Sequence, residues 1–361
     1  MARLISYPII STLSLALGDL FPVTDMSAAS RPLKNVTVES LTNFVISKSP
    51  FAFNATHPTA IQSANNLALG DYSIAMGLST TASGSTSIAM GLNTTASGPS
   101  SIAMVRSATA SGFASVAMGE GTEANKTSAI AMGSGTTASG VYSTAMGFNA
   151  TASAIYSTAM GLSTQATGSA STAMGSLTEA TGTSSTAIGY DTEATGSFST
   201  AMGRNTEASG QSSTAMGSET VASGSSSTSM GVGTEALGDF SIAMGLNLTA
   251  SGNVSTAMGS GTEARGFASL AIGQYNVINN GDSRTVYAAT STAFSIGNGT
   301  GNASRSNAFS VLFNGNVTAG SVIATSLEVE RPDSGLILKS PDGTRYRITM
   351  ANGGSLVITA V

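Results

Sequence analysis

The chain of 361 residues contains no cysteine and no tryptophan, and it has a single histidine, His57. Without cysteine, neither a disulfide framework nor thiolate chemistry is available. One histidine excludes a histidine-based catalytic triad or a multi-histidine metal site within one chain. Because His57 precedes Pro58 in a linker-like stretch, we expect it to be an ordinary loop residue.

Charged and aromatic residues are also scarce, at 9% and 6% of the chain. A large globular core needs big apolar side chains, and too few are present. The apolar content comes largely from alanine and methionine, which favours a long, thin core as in a solenoid. The net charge of −5 argues against nucleic acid as a partner, because phosphate binding requires a basic surface.

Long apolar runs are missing as well. No segment has the roughly 20 apolar residues that a membrane-spanning helix requires, so we expect no membrane insertion. Residues 4–17, after Arg3, have the position of a signal-peptide core. Pro8 and several Ser and Thr residues dilute this stretch, and no small-x-small cleavage site follows it, which argues against a signal peptide.

The sequence does have a 14-residue repeat. Between residues 76 and 272, one register holds methionine at 13 of 15 positions and isoleucine at the other two, with no insertion. Glycine follows every one of these positions except at Val105, and alanine precedes every one except at Ser229. The methionines that we predict as core residues of the repeat are Met76, Met90, Met118, Met132, Met146, Met160, Met174, Met202, Met216, Met244 and Met258.

A second half-repeat lies six residues after each methionine. Alanine occupies all 14 of these positions, and glycine follows two residues later in 12 of them, the exceptions being Lys126 and Ala154. The alanines predicted as core residues include Ala82, Ala96, Ala138 and Ala208. A glycine in each half disfavours helix, whereas two strands closed by glycine-containing turns fit the spacing. Each unit would then be one rung of a stack that pairs in parallel.

Alternation along a strand assigns the residues of a rung to two faces. Met76 and Ile74 share one side, and Ser73 and Ala75 share the other. We expect the methionine column to fill the interior against the alanine column, since large against small packs a narrow core. The smooth Ser-Ala-Gly face would then lie between chains, and the glutamate column that includes Glu193 would face water.

These residues resemble the head domain of trimeric autotransporter adhesins of the YadA type. That family uses units of the form S-V-A-I-G-x-x-A-x-A-x-G, which residues 73–77 (SIAMG) and 82–84 (ASG) match. The match repeats over about 200 residues of this chain. It implies a left-handed parallel β-roll and an obligate homotrimer. No heptad stalk follows, and no C-terminal membrane anchor is recognisable.

The flanking segments resemble those of bacteriophage fibres instead. Residues 18–25 (GDLFPVTD) and 34–41 (KNVTVESL) are similar to short N-terminal modules of phage tail and fibre proteins. Residues 294–300 and 305–317 are similar to segments that follow YadA-type heads in phage fibres, and residues 336–349 to their β-rich C-terminal pieces. The resulting division is an attachment module at 1–50, a linker at 51–70, the β-roll at 71–274, a connector at 275–325 and a β-rich tip at 326–361.

A search for catalytic chemistry in the sequence is negative. Asp191 and Glu193 fall in one rung, and we interpret them as solvated surface residues. We predict no enzyme activity, cofactor or metal. The leading interpretation is a homotrimeric virion fibre that contacts other virion proteins through its N-terminal module and a host glycan or protein receptor. A bacterial cell-surface adhesin and a glycan-degrading tailspike remain as alternatives.

Overall fold

The computed structural model describes residues 20–23, 34–37, 51–53, 56, 60–63, 65–321, 336–350 and 356–361. Every regular element within these ranges is a β-strand. The same ranges include no helix that is long and apolar enough to cross a membrane. The predicted all-β class is confirmed.

Each 14-residue repeat forms a long strand and a short strand separated by two turns. The 15 long strands are Ile74–Leu78, Ile88–Leu92, Ile102–Arg106, Val116–Glu120, Ile130–Ser134, Thr144–Phe148, Thr158–Leu162, Thr172–Ser176, Thr186–Ala194, Thr200–Ala208, Thr214–Ser218, Thr228–Val232, Ile242–Leu246, Thr256–Ser260 and Leu270–Gln274. The separate short strands are Leu67–Ala68, Thr81–Ala82, Thr95–Ala96, Thr109–Ala110, Glu123–Ala124, Thr137–Ala138, Thr151–Ala152, Gln165–Ala166, Glu179–Ala180, Val221–Ala222, Glu235–Ala236, Thr249–Ala250 and Glu263–Ala264. In the repeats that start at residues 186 and 200, one continuous strand includes both.

Strands of successive repeats pair in parallel at an offset of 14 residues. Met76 lies opposite Met90, and Ala82 lies opposite Ala96. One repeat is therefore one rung of a parallel β-solenoid, as the sequence predicted. At about 4.8 Å between paired strands, the 15 rungs make a segment roughly 70 Å long.

The turns explain why glycine recurs after the methionine. Ser79 and Thr86, at the two corners of their rungs, both have left-handed backbone with φ of +57°. Gly77 has φ of +128°, and a Cβ added to it would lie 1.9 Å from the carbonyl oxygen of Gly91 in the next rung. A side chain at Gly77 would therefore meet both an unfavourable φ and the backbone of the next rung.

Small side chains line the interior of the roll. Ser73 and Ala75 of the long strand, and Thr80 and Ala82 of the other half-rung, are at most 1% exposed. The other alanines that we predicted as core residues, Ala96, Ala138 and Ala208, are fully buried as well. The interior is therefore a stack of alanine, serine and threonine columns.

The prediction that methionine fills this interior is wrong. None of the methionines predicted as core residues is buried: Met118, Met202, Met244 and Met258 are exposed, and Met76, Met90, Met132, Met146, Met160, Met174 and Met216 are intermediate. The alternation of two faces was predicted correctly, but the two faces were exchanged, and the Ser-Ala face expected between chains is the interior. The reason is width, because alanines from the two walls occupy most of the space between them; in the described residues Leu248, in the threonine column, is the one larger aliphatic side chain that is buried there.

Interior hydroxyl groups find partners on the backbone where their geometry allows. The Oγ of Ser143 donates to the carbonyl oxygen of Gly140 at 2.7 Å. Ser229 stands where other rungs have alanine, and its Oγ lies 2.7 Å from Oγ1 of Thr234 and donates to the Thr234 carbonyl oxygen at 2.8 Å. This pairing is an exception, because most interior hydroxyl groups, such as those of Ser73, Thr80 and Ser87, have no hydrogen-bond partner within the described part of the chain.

An asparagine closes the interior at each end of the roll. Asn66 and Asn276 occupy the position that threonine holds in most rungs, and both are 2% exposed. The Oδ1 of Asn66 accepts the backbone N–H of Thr80 at 2.8 Å, and the Oδ1 of Asn276 accepts that of Glu263 at 2.8 Å. The Nδ2 of Asn276 donates to the Glu263 carbonyl oxygen at 2.9 Å. These amides supply hydrogen bonds that a further rung would otherwise make.

Additional strands extend the sheet beyond the repeats. Ile61–Ser63 pairs in parallel with the first long strand and antiparallel with Phe51–Phe53. Thr292–Asn298, which we assigned to the connector, pairs in parallel with the last long strand, and Asn307–Leu312 and Val317–Ala319 follow it in antiparallel order. The change of strand direction covers the open edge of the roll at both ends.

Two small antiparallel sheets lie outside the solenoid in the sequence. Leu20–Val23 pairs with Lys34–Thr37, and Leu336–Lys339, Arg345–Met350 and Leu356–Ala360 form a three-stranded sheet. A turn at residues 341–343 joins the first two of those three strands, with Gly343 at φ of +92°. His57 and most of the predicted attachment module lie outside the described residues.

Candidate binding surfaces

The outward side chains of the long strands form a continuous apolar surface, which we call the Met face. It consists of the methionine position of each rung and the position two residues before it, such as Ile74 and Met76. The earlier position holds isoleucine, valine, leucine or threonine in all 15 rungs. No charged side chain interrupts either column, and Met258 is 41% exposed. An apolar surface of this length marks an interaction site on a soluble protein.

Sequence reasoning missed the Met face because it placed the largest side chain inside. The signal was nevertheless present in the size of the residues on either side of the strand. Ser73 and Ala75 are small and fully buried, whereas Ile74 and Met76, on the other side of the strand, are larger and only half-buried. The side of the strand that tolerates only small residues is the enclosed side.

The outward positions of the short strands carry a polar surface with an acidic ladder, defined as Glu179, Glu193 and Glu207. These three glutamates lie opposite one another in adjacent rungs. Partial burial raises the pKa of the Glu193 carboxyl above its usual value, and the charges of Glu179, Glu207 and Asp191 raise it further. The ladder is therefore a place of unfavourable charge density on the outer surface.

The side chains of the acidic ladder are not arranged as a metal site in the described residues. Glu193 and Glu207 are exposed, and Glu179 accepts a hydrogen bond from Nε2 of Gln165 at 2.9 Å. In the part of the chain that the structure describes, no group of three or more His, Asp and Glu side chains is arranged to hold a metal ion. Asp191 and Glu193 line one open groove together with Glu207, which agrees with our interpretation of solvated surface residues.

A stacked pair of tyrosines lies on the turns that follow two adjacent short strands. Tyr142 and Tyr156 occupy the same corner in adjacent rungs, with ring centroids 5.3 Å apart and ring planes 6° from parallel. Tyr142 is 50% exposed and Tyr156 is 58% exposed. Val141 and Ile155, the residues that precede them, complete an apolar group that we call the tyrosine ledge. The sequence analysis did not single out these residues.

The backbone holds the tyrosine ledge in a fixed conformation. The N–H of Tyr156 donates to the carbonyl oxygen of Val141 at 2.9 Å, and the N–H of Tyr142 donates to that of Thr127 at 2.9 Å. Both tyrosines have left-handed backbone, with φ of +57° and +58°. This conformation is unfavourable for a bulky residue and persists because each rung fixes the next.

The C-terminal end of the roll contains a small polar cavity of about 10 Å³. Its lining includes Glu263, Asn276, Asp282 and Ser295. The carboxylate of Asp282 accepts hydrogen bonds from Nδ2 of Asn279 at 2.7 Å and from the N–H of Thr292 at 2.9 Å. A space of this size holds about one water molecule, so we interpret it as part of the end closure rather than as a ligand site.

Comparison with known families supports the nature of the repeats. The family model described as "YadA head domain repeat (2 copies)" matches ten segments between residues 68 and 247. These segments are 68–94, 82–104, 110–136, 138–164, 152–178, 166–192, 180–206, 194–220, 208–234 and 222–247. A search among curated proteins found no match. This part of the solenoid is therefore built from repeats of the YadA head type, a structural and adhesin-like architecture.

Proposed function

We propose that the chain forms a homotrimeric structural fibre of a bacteriophage virion and attaches the virion to the host surface. Its N-terminal module would contact other virion proteins, and its roll or C-terminal tip would meet a glycan or protein receptor. The observation that carries the fibre assignment is the 15-rung solenoid made of YadA-type head repeats. An extended adhesin-like body of this kind suits a projection outside the cell.

The Met face supports the trimer. A single roll leaves the methionine column partly exposed along its length, next to a column of isoleucine, valine, leucine and threonine, whereas its interior side chains are buried. Three identical chains could bury these columns against one another around a common axis, which is a closed symmetric arrangement. Burying a methionine or isoleucine side chain contributes about 1.5–3 kcal/mol, and here each rung offers such residues. YadA-type heads are usually trimeric, in agreement with this arrangement.

The virion location rests on the flanking segments and not on the repeats. Residues 18–25 and 34–41 resemble attachment modules of phage fibres, and residues 336–349 resemble phage fibre tips. The repeats themselves fit a bacterial surface adhesin equally well, and this is the second candidate. The third, a tailspike enzyme, has less support because no catalytic arrangement is found in the described residues.

Localisation of the chain separates the first two candidates. Antibody against the purified protein, used for immunogold electron microscopy of phage particles and of bacterial envelopes, should label fibres on the particles. Labelling confined to the bacterial surface would replace the virion fibre by the cell-surface adhesin. Release of shortened products from host polysaccharide by the purified chain would instead support the tailspike.

A further inference from the structure

We infer that the tyrosine ledge binds a neutral sugar ring of a surface glycan. This inference rests on the proposed receptor-binding function and names the site and the class of ligand. The ledge combines two exposed aromatic rings with two aliphatic side chains on an otherwise hydroxyl-rich surface. Aromatic rings stack on the apolar C–H face of a pyranose, and neighbouring hydroxyl groups can bond to its oxygens.

The two rings leave part of their faces open. Their centroids are 5.3 Å apart, which is more than the ~3.5–4 Å between carbon atoms of two rings in full face contact. The pair is therefore offset, an arrangement that aromatic pairs prefer. The corner positions of the rungs on either side hold Ser128 and Ala170, which are too small to cover the outer faces.

The charge around the ledge selects the kind of sugar. The 52 residues from 127 to 178 contain no Asp, Glu, Lys, Arg or His. The nearest cation along the chain is Lys126, exposed in the turn of the preceding rung beside Thr127, so an acidic glycan with several uronate, sulfate or sialate groups would find at most this one partner. Ser128, Ser139 and Ser153 supply hydroxyl groups near the rings instead, and a neutral sugar needs only such partners.

The size of the ledge favours a sugar over a protein partner. A stable protein interface buries about 800 Å² on each side, with an apolar centre formed by many residues. The ledge has four apolar side chains, and serines and threonines surround it. Its backbone is fixed by hydrogen bonds from rung to rung, so little conformational freedom is lost when a rigid ring binds.

The test replaces both rings in the full-length protein, as Tyr142→Ser with Tyr156→Ser. Serine is a suitable replacement, because Ser100 and Ser128 hold the same corner with φ of +56° and +51°. The matched control is Phe198→Ser, which removes a 59% exposed ring from the same corner of a rung whose neighbours carry Ser184 and Ser212. Circular dichroism and sedimentation of both variants should match those of the unaltered protein.

Binding is measured on an array of neutral oligosaccharides (glucans, mannans, galactans and N-acetylglucosamine oligomers) and of acidic ones. The unaltered protein and Phe198→Ser should bind at least one neutral oligosaccharide equally. The double variant should lose about tenfold in affinity for it, which corresponds to ~1.4 kcal/mol. Each single tyrosine variant should lose less than the double variant.

Three results would overturn the inference: no binding to any neutral oligosaccharide, binding to acidic ones alone, or equal affinity of the double variant and the unaltered protein. The proposed function is judged separately by immunogold labelling and by adsorption of the purified fibre to host cells. A fibre that labels particles and adsorbs to cells, with or without the two tyrosines, leaves the function intact and removes this site. A chain found on no particle and no envelope removes the function, whatever the array shows.

Discussion

At the scale of single residues, the stacked backbones dictate where a side chain is allowed. Val105 is the one residue of its column that is not glycine, and its φ of +94° is positive, as are the +123° of Gly91 and the +136° of Gly119 in the adjacent rungs. A β-branched residue in this region is strained by about 1–3 kcal/mol. The fold tolerates the strain because rungs on both sides fix the backbone of this one.

We therefore expect Val105→Gly to stabilise the roll by about 1 kcal/mol or more, because it relieves backbone strain without removing a buried side chain. Val116→Gly is the matched control, since Val116 lies in an ordinary strand conformation, and it should destabilise by about 1 kcal/mol. Denaturant midpoints of the two variants measure both effects. A shift of both midpoints in the same direction would show that Val105 is not strained.

At the scale of the element, the rung was predictable and the direction of its side chains was not. The 14-residue register, the two strands and the glycine turns follow directly from the sequence, and Met76 pairs with Met90 as the repeat requires. Which face is enclosed depends on the distance between the two walls, and that distance is a property of the stacked backbones. The end closures depend on Asn66 and Asn276, which sequence reasoning did not separate from other asparagines.

The amide of Asn276 gives a prediction for the end closure. Asn276→Ala removes the partners of both the N–H and the carbonyl oxygen of Glu263, and we expect it to destabilise the last rung by about 1–3 kcal/mol. Hydrogen exchange of the amides in residues 263–276 should accelerate accordingly. Asn205→Ser, an exposed corner change to a residue found at the same corner in Ser79, should leave that exchange unaltered. Equal rates of amide exchange in Asn276→Ala and Asn205→Ser would show that contacts other than the Asn276 amide close this end of the roll.

The acidic ladder predicts a pH dependence of stability. The pKa of Glu193 is raised in the folded chain, so the folded state binds more protons than the unfolded state between the ordinary pKa of 4.5 and the raised value. Stability should therefore increase as the pH falls from neutral through the raised pKa, and the gain should be complete near the ordinary pKa.

The variant Glu193→Gln should raise the stability at pH 7 by a few tenths of a kcal/mol, the size of an exposed cross-strand repulsion, and flatten the pH profile. Glu235→Gln is the matched control, because its neighbours in the adjacent rungs are Val221 and Thr249 and not carboxylates. Thermal midpoints from pH 4.5 to 7.5 measure the effect, and added salt should reduce it. If the thermal midpoint of Glu193→Gln varied with pH as steeply as that of the unaltered chain, repulsion within the acidic ladder would not be the cause of the pH dependence.

At the scale of the whole molecule, the exposed Met face and the filled interior together determine how chains associate. A single roll satisfies its interior with alanine, serine and threonine, yet it leaves the methionine column of every rung unpacked. Exposed apolar side chains also lie at the strand ends and turns, such as Leu78, Phe148 and Phe198, but the methionine column forms a straight stripe along the repeats. Association along that stripe would bury apolar surface that a single roll leaves exposed. We therefore expect the roll and the oligomer to stabilise one another.

The last prediction breaks the association without altering the roll. Met146→Lys with Met160→Lys places two ammonium groups in the centre of the Met face, where burial without a partner is strongly unfavourable. Thr151→Lys with Gln165→Lys adds the same charges to the same rungs, on the outward side of the short strands. Sedimentation should give three times 35.7 kDa for the unaltered protein and the second variant, and a shift towards 35.7 kDa for the first. A trimer that survives both changes would move the interface to another surface, and an unaltered chain that sediments as a monomer would remove the trimer altogether.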